Sequence, residues 1–257
     1  MSIIAICATA RRLAFRCRAG TALRKTHPSR PRSYHSYDHP PAARAFGDAE
    51  EAILSAAYKH VPEYGFSARA LGLGARDAGY LDISPSVLPD GAFNLIRYHL
   101  VSQRQNLART TEELFIDEES IGPGDKVAAL TWARLRGNQD IIQHWQEALA
   151  VMAQPRYVSE SMKELAQLSD EIWFLSGDKV IDPSWYSKRA MLSMIYTSTE
   201  LFMTNDKSPK FIETNNFLAR RLEEVQSVGG AVSAVGQWAG FTFQTAINVL
   251  RSKGVGI

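Results

Sequence analysis

The stretch Asp48-Ala-Glu-Glu-Ala-Ile-Leu-Ser-Ala-Ala-Tyr-Lys-His-Val-Pro-Glu-Tyr-Gly-Phe-Ser-Ala-Arg-Ala-Leu-Gly-Leu-Gly-Ala-Arg-Asp-Ala-Gly79 decides the fold. Asp48 followed by Glu51 has the spacing of a capping box, and Ile53, Leu54, Ala57, Tyr58 and Val61 then recur at helical spacing. A second helix is predicted from Ser67 to Ala78, with Gly79 as its stop. Two short amphipathic helices joined through Gly65-Phe66 make a helix-turn-helix layout rather than a sheet.

The pattern continues outward. A short turn of helix is expected at Pro85–Leu88, then a long helix from Asp90 to Leu114, with a break at Gly122-Pro123-Gly124. Further helices are expected from near Asp125, Asn138, Pro155 and Asp182, and one from Pro209 to Val225; Asp182-Pro183 reads as an N-cap followed by proline at N1. No segment alternates with period two between hairpin turns, so the fold class is all-α.

The segment Ile53–Leu100 resembles the helix-turn-helix of TetR-type repressors: Ala56–Ser67 matches that family's first helix with its Gly-aromatic close, and Ala70–Gly79 its second helix and turn. The resemblance implies a TetR-repressor-like helical bundle, and with it the alternative function of a ligand-responsive DNA-binding regulator. A DNA reader needs Arg, Lys, Asn or Gln on the recognition helix and cations toward phosphates. Here Leu81–Asp90 offers Asp82, Asp90 and two prolines, with no Lys or Arg between Arg76 and Arg97. The helix-turn-helix is read as a remnant without nucleic-acid function.

Residues 1–34 carry eight Arg or Lys and no acid, interleaved with Ile3, Ile4, Ile6, Leu13 and Phe15, the composition of a mitochondrial transit peptide. A basic tail for nucleic acid is the other reading. Arg32-Ser33-Tyr34 places the expected cleavage after Tyr34, and residues 35–47 read as a linker. The whole chain counts 29 basic and 27 acidic side chains, +2; without the first 34 residues it counts 21 against 27, or −6. Cys7 and Cys17 both lie in the removed part, so the mature chain has no disulfide, thiolate nucleophile or cysteine ligand.

Catalytic motifs are missing. No histidine among His60, His99 and His144 has a glutamate three residues before it, as a bundle di-iron site needs. Gly72-x-Gly74 lacks a third glycine and sits in a predicted helix. The run Asp117-Glu118-Glu119 reads as a solvated loop rather than a metal site. No cofactor and no enzymatic activity are expected.

Two C-terminal segments are more informative. From Asp182 to Met203 one helix carries two apolar stripes: Met191, Met194, Ile195, Leu201 and Phe202 on one side, and Trp185, Leu192, Tyr196 and Met203 on the other. That is a helix wedged between layers. It is either plain core or, with its methionines and aromatics, the wall of an adaptable tunnel for a long flexible chain. Trp185 and Tyr186 beside Arg189 have the composition of a protein-contact hot spot. From Val225 to Leu250 no residue is charged; Ser233, Gln237, Gln244 and Asn248 form one polar strip, and Val235, Trp238, Phe243, Val249 and Leu250 lie in the apolar arc. With Arg251 and Lys253 following, it reads as an amphipathic helix lying in an anionic membrane surface, the other reading being a docking or dimerisation helix.

Together these features resemble the ubiquinone (coenzyme Q) biosynthesis family Coq-nine, across nearly all of residues 48–250. The most specific part is Ser184-Trp-Tyr-Ser-Lys-Arg-Ala-Met-Leu-Ser-Met-Ile-Tyr-Thr-Ser-Thr-Glu-Leu-Phe-Met203, then Asp206-Lys-Ser-Pro209 and Phe217-Leu218. The resemblance implies a homodimer, peripheral on the matrix side of the mitochondrial inner membrane, that binds an isoprenoid quinone precursor or phospholipid. It implies a partner as well, the di-iron hydroxylase acting late on the quinone ring, met through Trp185, Tyr186 and Arg189. The expected division is a helix-turn-helix-like part at 48–116, a lipid-binding part at 117–226 and a membrane helix at 227–257, on a cardiolipin-containing surface.

Overall fold

Glu50 accepts a hydrogen bond from the Gly47 N–H at 2.9 Å, so the first helix is capped one residue earlier than Asp48 and Glu51 suggest. In the computed structural model, which describes residues 44–80, 88–115, 121–178 and 185–227, that helix is α1 (Asp48–Tyr58). A single turn, α2 (Val61–Tyr64), follows, and α3 (Ala68–Asp77) begins where the Ser67 hydroxyl accepts from the Ala70 N–H. Gly79 ends it with φ +84, a conformation that β-carbons disfavour. Then come α4 (Ala92–Leu114), α5 (Pro123–Arg136), α6 (Ile142–Met152), α7 (Val158–Leu175), α8 (Trp185–Met203) and α9 (Ile212–Ser227). Every described element is helical, and the expected all-α, TetR-like bundle is what is found.

Several starts differ from expectation for local reasons. Gly122 caps α5, so Pro123 opens the helix instead of breaking it, its missing N–H costing nothing at the first helical position. After Asn138 the chain makes a 3-10 turn, Gln139–Ile141, before α6. The helix expected from Pro155 begins at Val158, and the one expected from Pro209 begins with a 3-10 turn, Pro209–Phe211. The Pro85 turn, the Asp117-Glu118-Glu119 run and the Asp182-Pro183 cap lie outside the described residues.

The core has two apolar centres. The first joins α1, α3, the start of α4 and α6 through Ile53, Leu54, Leu71, Leu95, Ile96 and Trp145. The second joins the end of α4, α5, α7, α8 and α9 through Leu107, Leu130, Ile172, Leu192, Tyr196 and Leu218. α4 is long enough, roughly 34 Å at 1.5 Å per residue, to contribute to both. Where α3 crosses α1, Gly74 lies on Ala57: a β-carbon there would overlap the Ala57 backbone.

Between α8 and α9, Lys210 and Phe211 both have φ near +55°, an uncommon pairing for residues with β-carbons. The turn is held by Asp206. Its carboxylate accepts from the Ser208 N–H at 2.7 Å and from the Thr214 N–H and hydroxyl at 2.9 and 2.5 Å, while Ser208 Oγ accepts from the Glu213 N–H. Two first-turn donors of α9 are thus satisfied by side chains. Burial pushes the Asp206 pKa up, but the hydrogen bonds from Thr214 and Ser208 outweigh it and hold the carboxyl below its ordinary value of 3.8. Since the folded pKa is the lower one, this stability is present above pH 3.8 and is lost as the pH falls through the folded pKa. Asp206→Ala is expected to cost about 1–2 kcal/mol near neutral pH, and the cost should shrink as acid protonates the wild-type carboxyl. Urea melts of both proteins at neutral and acid pH check this; an equal cost at both would refute it.

Candidate functional site in the α7–α8–α9 layer

α8 has one deeply buried face, made by Arg189, Leu192, Ile195, Tyr196, Thr199, Glu200 and Met203. This corrects the expected stripes: Ile195 belongs with Leu192 and Tyr196 in the core and not with the methionines. Met191, Met194, Leu201 and Phe202 are half-buried on the other side, together with Ser198. The Phe202 ring stacks on Phe217 of α9, centroids 4.7 Å apart and planes 6° from parallel. α7 approaches closely enough on a further side for the Ser169 and Ser193 hydroxyls to meet at 2.7 Å.

The three residues of the expected protein-contact group part company in depth. Tyr186 is 77% exposed, the largest exposure among the described big apolar side chains. Trp185 is half-buried, its indole meeting the Tyr186 ring at 4.7 Å and 78°. Arg189 is buried, and the reading of its guanidinium as a group offered to a partner is corrected accordingly. Its Nε donates to Asp170 Oδ1 of α7 at 2.6 Å, its Nη1 donates to the Trp185 carbonyl at 3.3 Å, and its guanidinium carbon lies 3.8 Å from the centre of the Trp185 ring. One residue away, Lys188 Nζ donates to Asp178 Oδ2 at 2.9 Å and stands over the Trp173 ring.

Where the two apolar centres meet, the structure holds a polar network that the sequence reading missed. The Tyr58 hydroxyl meets His99 Nδ1 at 2.7 Å, and His99 Nε2 meets Asn138 Oδ1 at 2.8 Å. Arg134 Nη1 donates to the same Asn138 oxygen at 2.8 Å; Asn138 Nδ2 and the Tyr196 hydroxyl both donate to Glu200 Oε1 at 2.9 Å. The indole N–H of Trp145 points toward this carboxylate without completing a good hydrogen bond. The Asn138 amide thus takes one charge-assisted bond from a cation at its oxygen and gives one to a carboxylate from its nitrogen. Burial, helped by the Arg134 charge, pushes the His99 pKa down to about 3, so the imidazole is neutral, donating from Nε2 and accepting at Nδ1. Burial raises the Glu200 pKa as well, against the pull of Arg134. A signal was present: Arg134 falls in phase with Val127, Leu130 and Thr131, and Glu200 in phase with Leu192, Tyr196 and Met203, so each puts a charge on an apolar helix face.

Val235, Trp238, Phe243, Val249 and Leu250 lie outside the described residues. Among the described residues, no helix is long and apolar enough to cross a membrane.

The helix order, the α1–α3 unit and the layer behind it define a TetR-like all-helical protein. The COQ9 family profile matches residues 158–229, the span of α7 to α9. The chain is 36% identical over 224 residues to "Ubiquinone biosynthesis protein coq9, mitochondrial" of Schizosaccharomyces pombe, covering 87% of this chain and 88% of that one. It is 37% identical over 195 residues to the Xenopus laevis protein COQ9-A (72% and 60% of the two chains) and 31% identical over 191 residues to human COQ9 (71% and 59%). The chain belongs to the COQ9 family, and its role lies in ubiquinone biosynthesis. All three relatives are named mitochondrial; the chain spans about 60% of the length of the two vertebrate ones.

Proposed function

We propose that this protein is a non-enzymatic lipid carrier that takes a polyprenyl quinone intermediate from the mitochondrial inner membrane and presents it to the di-iron demethoxyubiquinone hydroxylase. The observation that carries the reading is the second face of α8. Met191, Met194, Leu201 and Phe202 stand there half-buried with Ser198 and no ionisable side chain. The helix's own charges are turned elsewhere: Arg189 is paired to Asp170 of α7, Lys188 to Asp178 just beyond the end of α7, and Glu200 is in the interior network. A face that is both apolar and incompletely covered suits a flexible isoprenoid tail, and each Å² of tail kept from water is worth about 25 cal/mol. The carrier needs no cofactor of its own. It acts peripherally on the matrix side as a homodimer, the uncharged run after α9, residues 228–250, lying on cardiolipin-containing lipid. Docking beside the hydroxylase raises the local concentration of a poorly soluble substrate. The rival, a DNA-binding regulator, is disfavoured by the lack of Lys and Arg between Arg76 and Arg97.

The test is lipid extraction from the purified protein followed by mass spectrometry, with flotation on cardiolipin-containing vesicles beside it. Met194→Asp and Leu201→Asp place a charge on a half-buried site, so the fold should survive while quinone co-purification falls severalfold or more, a lone carboxylate against hydrocarbon costing several kcal/mol. Removing residues 228–257 should abolish flotation. A folded Met194→Asp protein with undiminished quinone would overturn the carrier reading. Loss of the dimer with lipid unchanged would make the same face an interface between copies. A truncated protein that still floats would remove the membrane role of the C-terminal run.

A further inference from the structure

We propose that α9 is a gate over the apolar side of α8: it opens about Lys210 and Phe211, is latched shut by Asp206, and when open lets an isoprenoid tail reach Phe202. The proposal rests on the carrier reading above, which supplies the tail.

The turn between α8 and α9 is where the described backbone is strained. Lys210 (φ +54) and Phe211 (φ +58) are the only residues with a β-carbon in the left-handed region among the described residues, and they are consecutive. The other left-handed positions there, Gly65, Gly79, Gly91 and Gly177, are all glycine, which adopts such values without steric cost. Glycine at position 210 would relieve the turn with no loss of packing, since the Lys210 side chain is exposed. A left-handed residue with a β-carbon persists only where its surroundings over-determine it.

Here the surroundings are a latch across the strained pair. Asp206 accepts from the Thr214 N–H and hydroxyl, and Ser208 Oγ accepts from the Glu213 N–H. All three hydrogen bonds run from one side of Lys210 and Phe211 to the other, so rotation about the pair breaks them and releases the strain together. Phe211 packs half-buried against the second apolar centre, which returns α9 to one closed position.

Beyond the latch α9 is lightly held. Of residues 212–225, Thr214 and Leu218 alone are buried, whereas α8 buries seven side chains. An element with little buried surface opens at a lower free energy than the core it rests on. What α9 covers is the Phe202 ring, stacked on Phe217 at 4.7 Å with the planes 6° from parallel. A tail can lie along that part of α8 only after the stack has parted. Strain and latch therefore oppose each other: the latch keeps the apolar side covered without a guest, and the strain lowers the cost of uncovering it.

The experiment compares the full chain with Lys210→Gly, Lys210→Val and Asp206→Ala. Amide hydrogen exchange is followed by mass spectrometry in α9, with α8 as internal reference, beside the rate of ubiquinone transfer from cardiolipin-containing vesicles to acceptor vesicles. Glycine relieves the left-handed strain and a β-branched residue raises it, while both remove the same charge. Exchange in α9 is expected to be faster than in α8 in the wild type. It should slow roughly threefold in Lys210→Gly, quicken roughly threefold in Lys210→Val and quicken roughly tenfold in Asp206→Ala, with α8 unchanged. Ubiquinone transfer should follow the same order. The two Lys210 variants keep the test informative if Asp206→Ala melts early. Equal α9 exchange in Lys210→Gly and Lys210→Val, or changes that α8 shares in full, overturn the hinge and leave the carrier reading standing. Transfer that proceeds at one rate in all four proteins, while α9 exchange is ordered as expected, overturns the gate alone. No ubiquinone transfer by any of them overturns the carrier reading and the gate with it.

Discussion

Glu200→Ala is expected to be among the most destabilising substitutions in this chain, costing about 3–5 kcal/mol, because two buried donors lose their acceptor at roughly 1–3 kcal/mol each. The alanine variant leaves the Asn138 amide and the Tyr196 hydroxyl without their shared acceptor, and leaves Arg134, 1% exposed, without the carboxylate that balances it. For a domain of this size each kcal/mol lowers the melting temperature by roughly 2–4 °C, so a fall on the order of 10 °C follows. Glu200→Gln should cost less, because an amide oxygen can still accept from Asn138 and Tyr196. A calorimetric or circular-dichroism melt decides it. Two variants that melt within a degree of the wild type would mean that the network contributes no net stability. Its position explains why the effect should be global: Tyr58, His99, Arg134, Asn138 and Glu200 come from α1, α4, α5, the turn after α5, and α8, so they join the two apolar centres.

The second large effect is expected at a glycine, with its own control two residues away. Gly74→Ala would place a methyl group into the backbone of Ala57, where α1 and α3 cross, and neither helix backbone can rotate aside as a flexible side chain could. Overpacking of this kind typically costs about 1–3 kcal/mol and occasionally more, and backbone-on-backbone contact belongs at the upper end. Gly72→Ala, in the same helix with nothing within 4 Å of the new methyl, should instead stabilise by about 0.5–1 kcal/mol through the lower entropy of the unfolded chain. Urea midpoints moving in opposite directions would confirm the crossing. Midpoints that move together would show that α1 and α3 do not pack as described. This accounts for Gly72-x-Gly74 without any nucleotide: one glycine permits a close approach and the other faces open space.

The sequence alone determined what depends on neighbours along the chain. Apolar spacing and caps give the helices and their approximate ends, because capping and amphipathicity are set within one or two turns; Ser67, Gly79 and Pro123 act where their chemistry says they should or one turn from it. The family was legible for the same reason, since its most specific run is the continuous helix Trp185–Met203. Errors appeared where a residue's neighbours come from other helices. A helical wheel placed Ile195 with the methionines, but which side of α8 is core is decided by where α7 and α9 lie against it. Composition likewise grouped Arg189 with Trp185 and Tyr186 as a protein-contact surface, whereas Asp170, nineteen positions back, draws it inside. His99, Arg134, Asn138 and Glu200 look unrelated along the chain, the outer two about a hundred residues apart. Only the packing of two apolar centres brings them together, because water is excluded there and each buried polar group must find its partner in another helix.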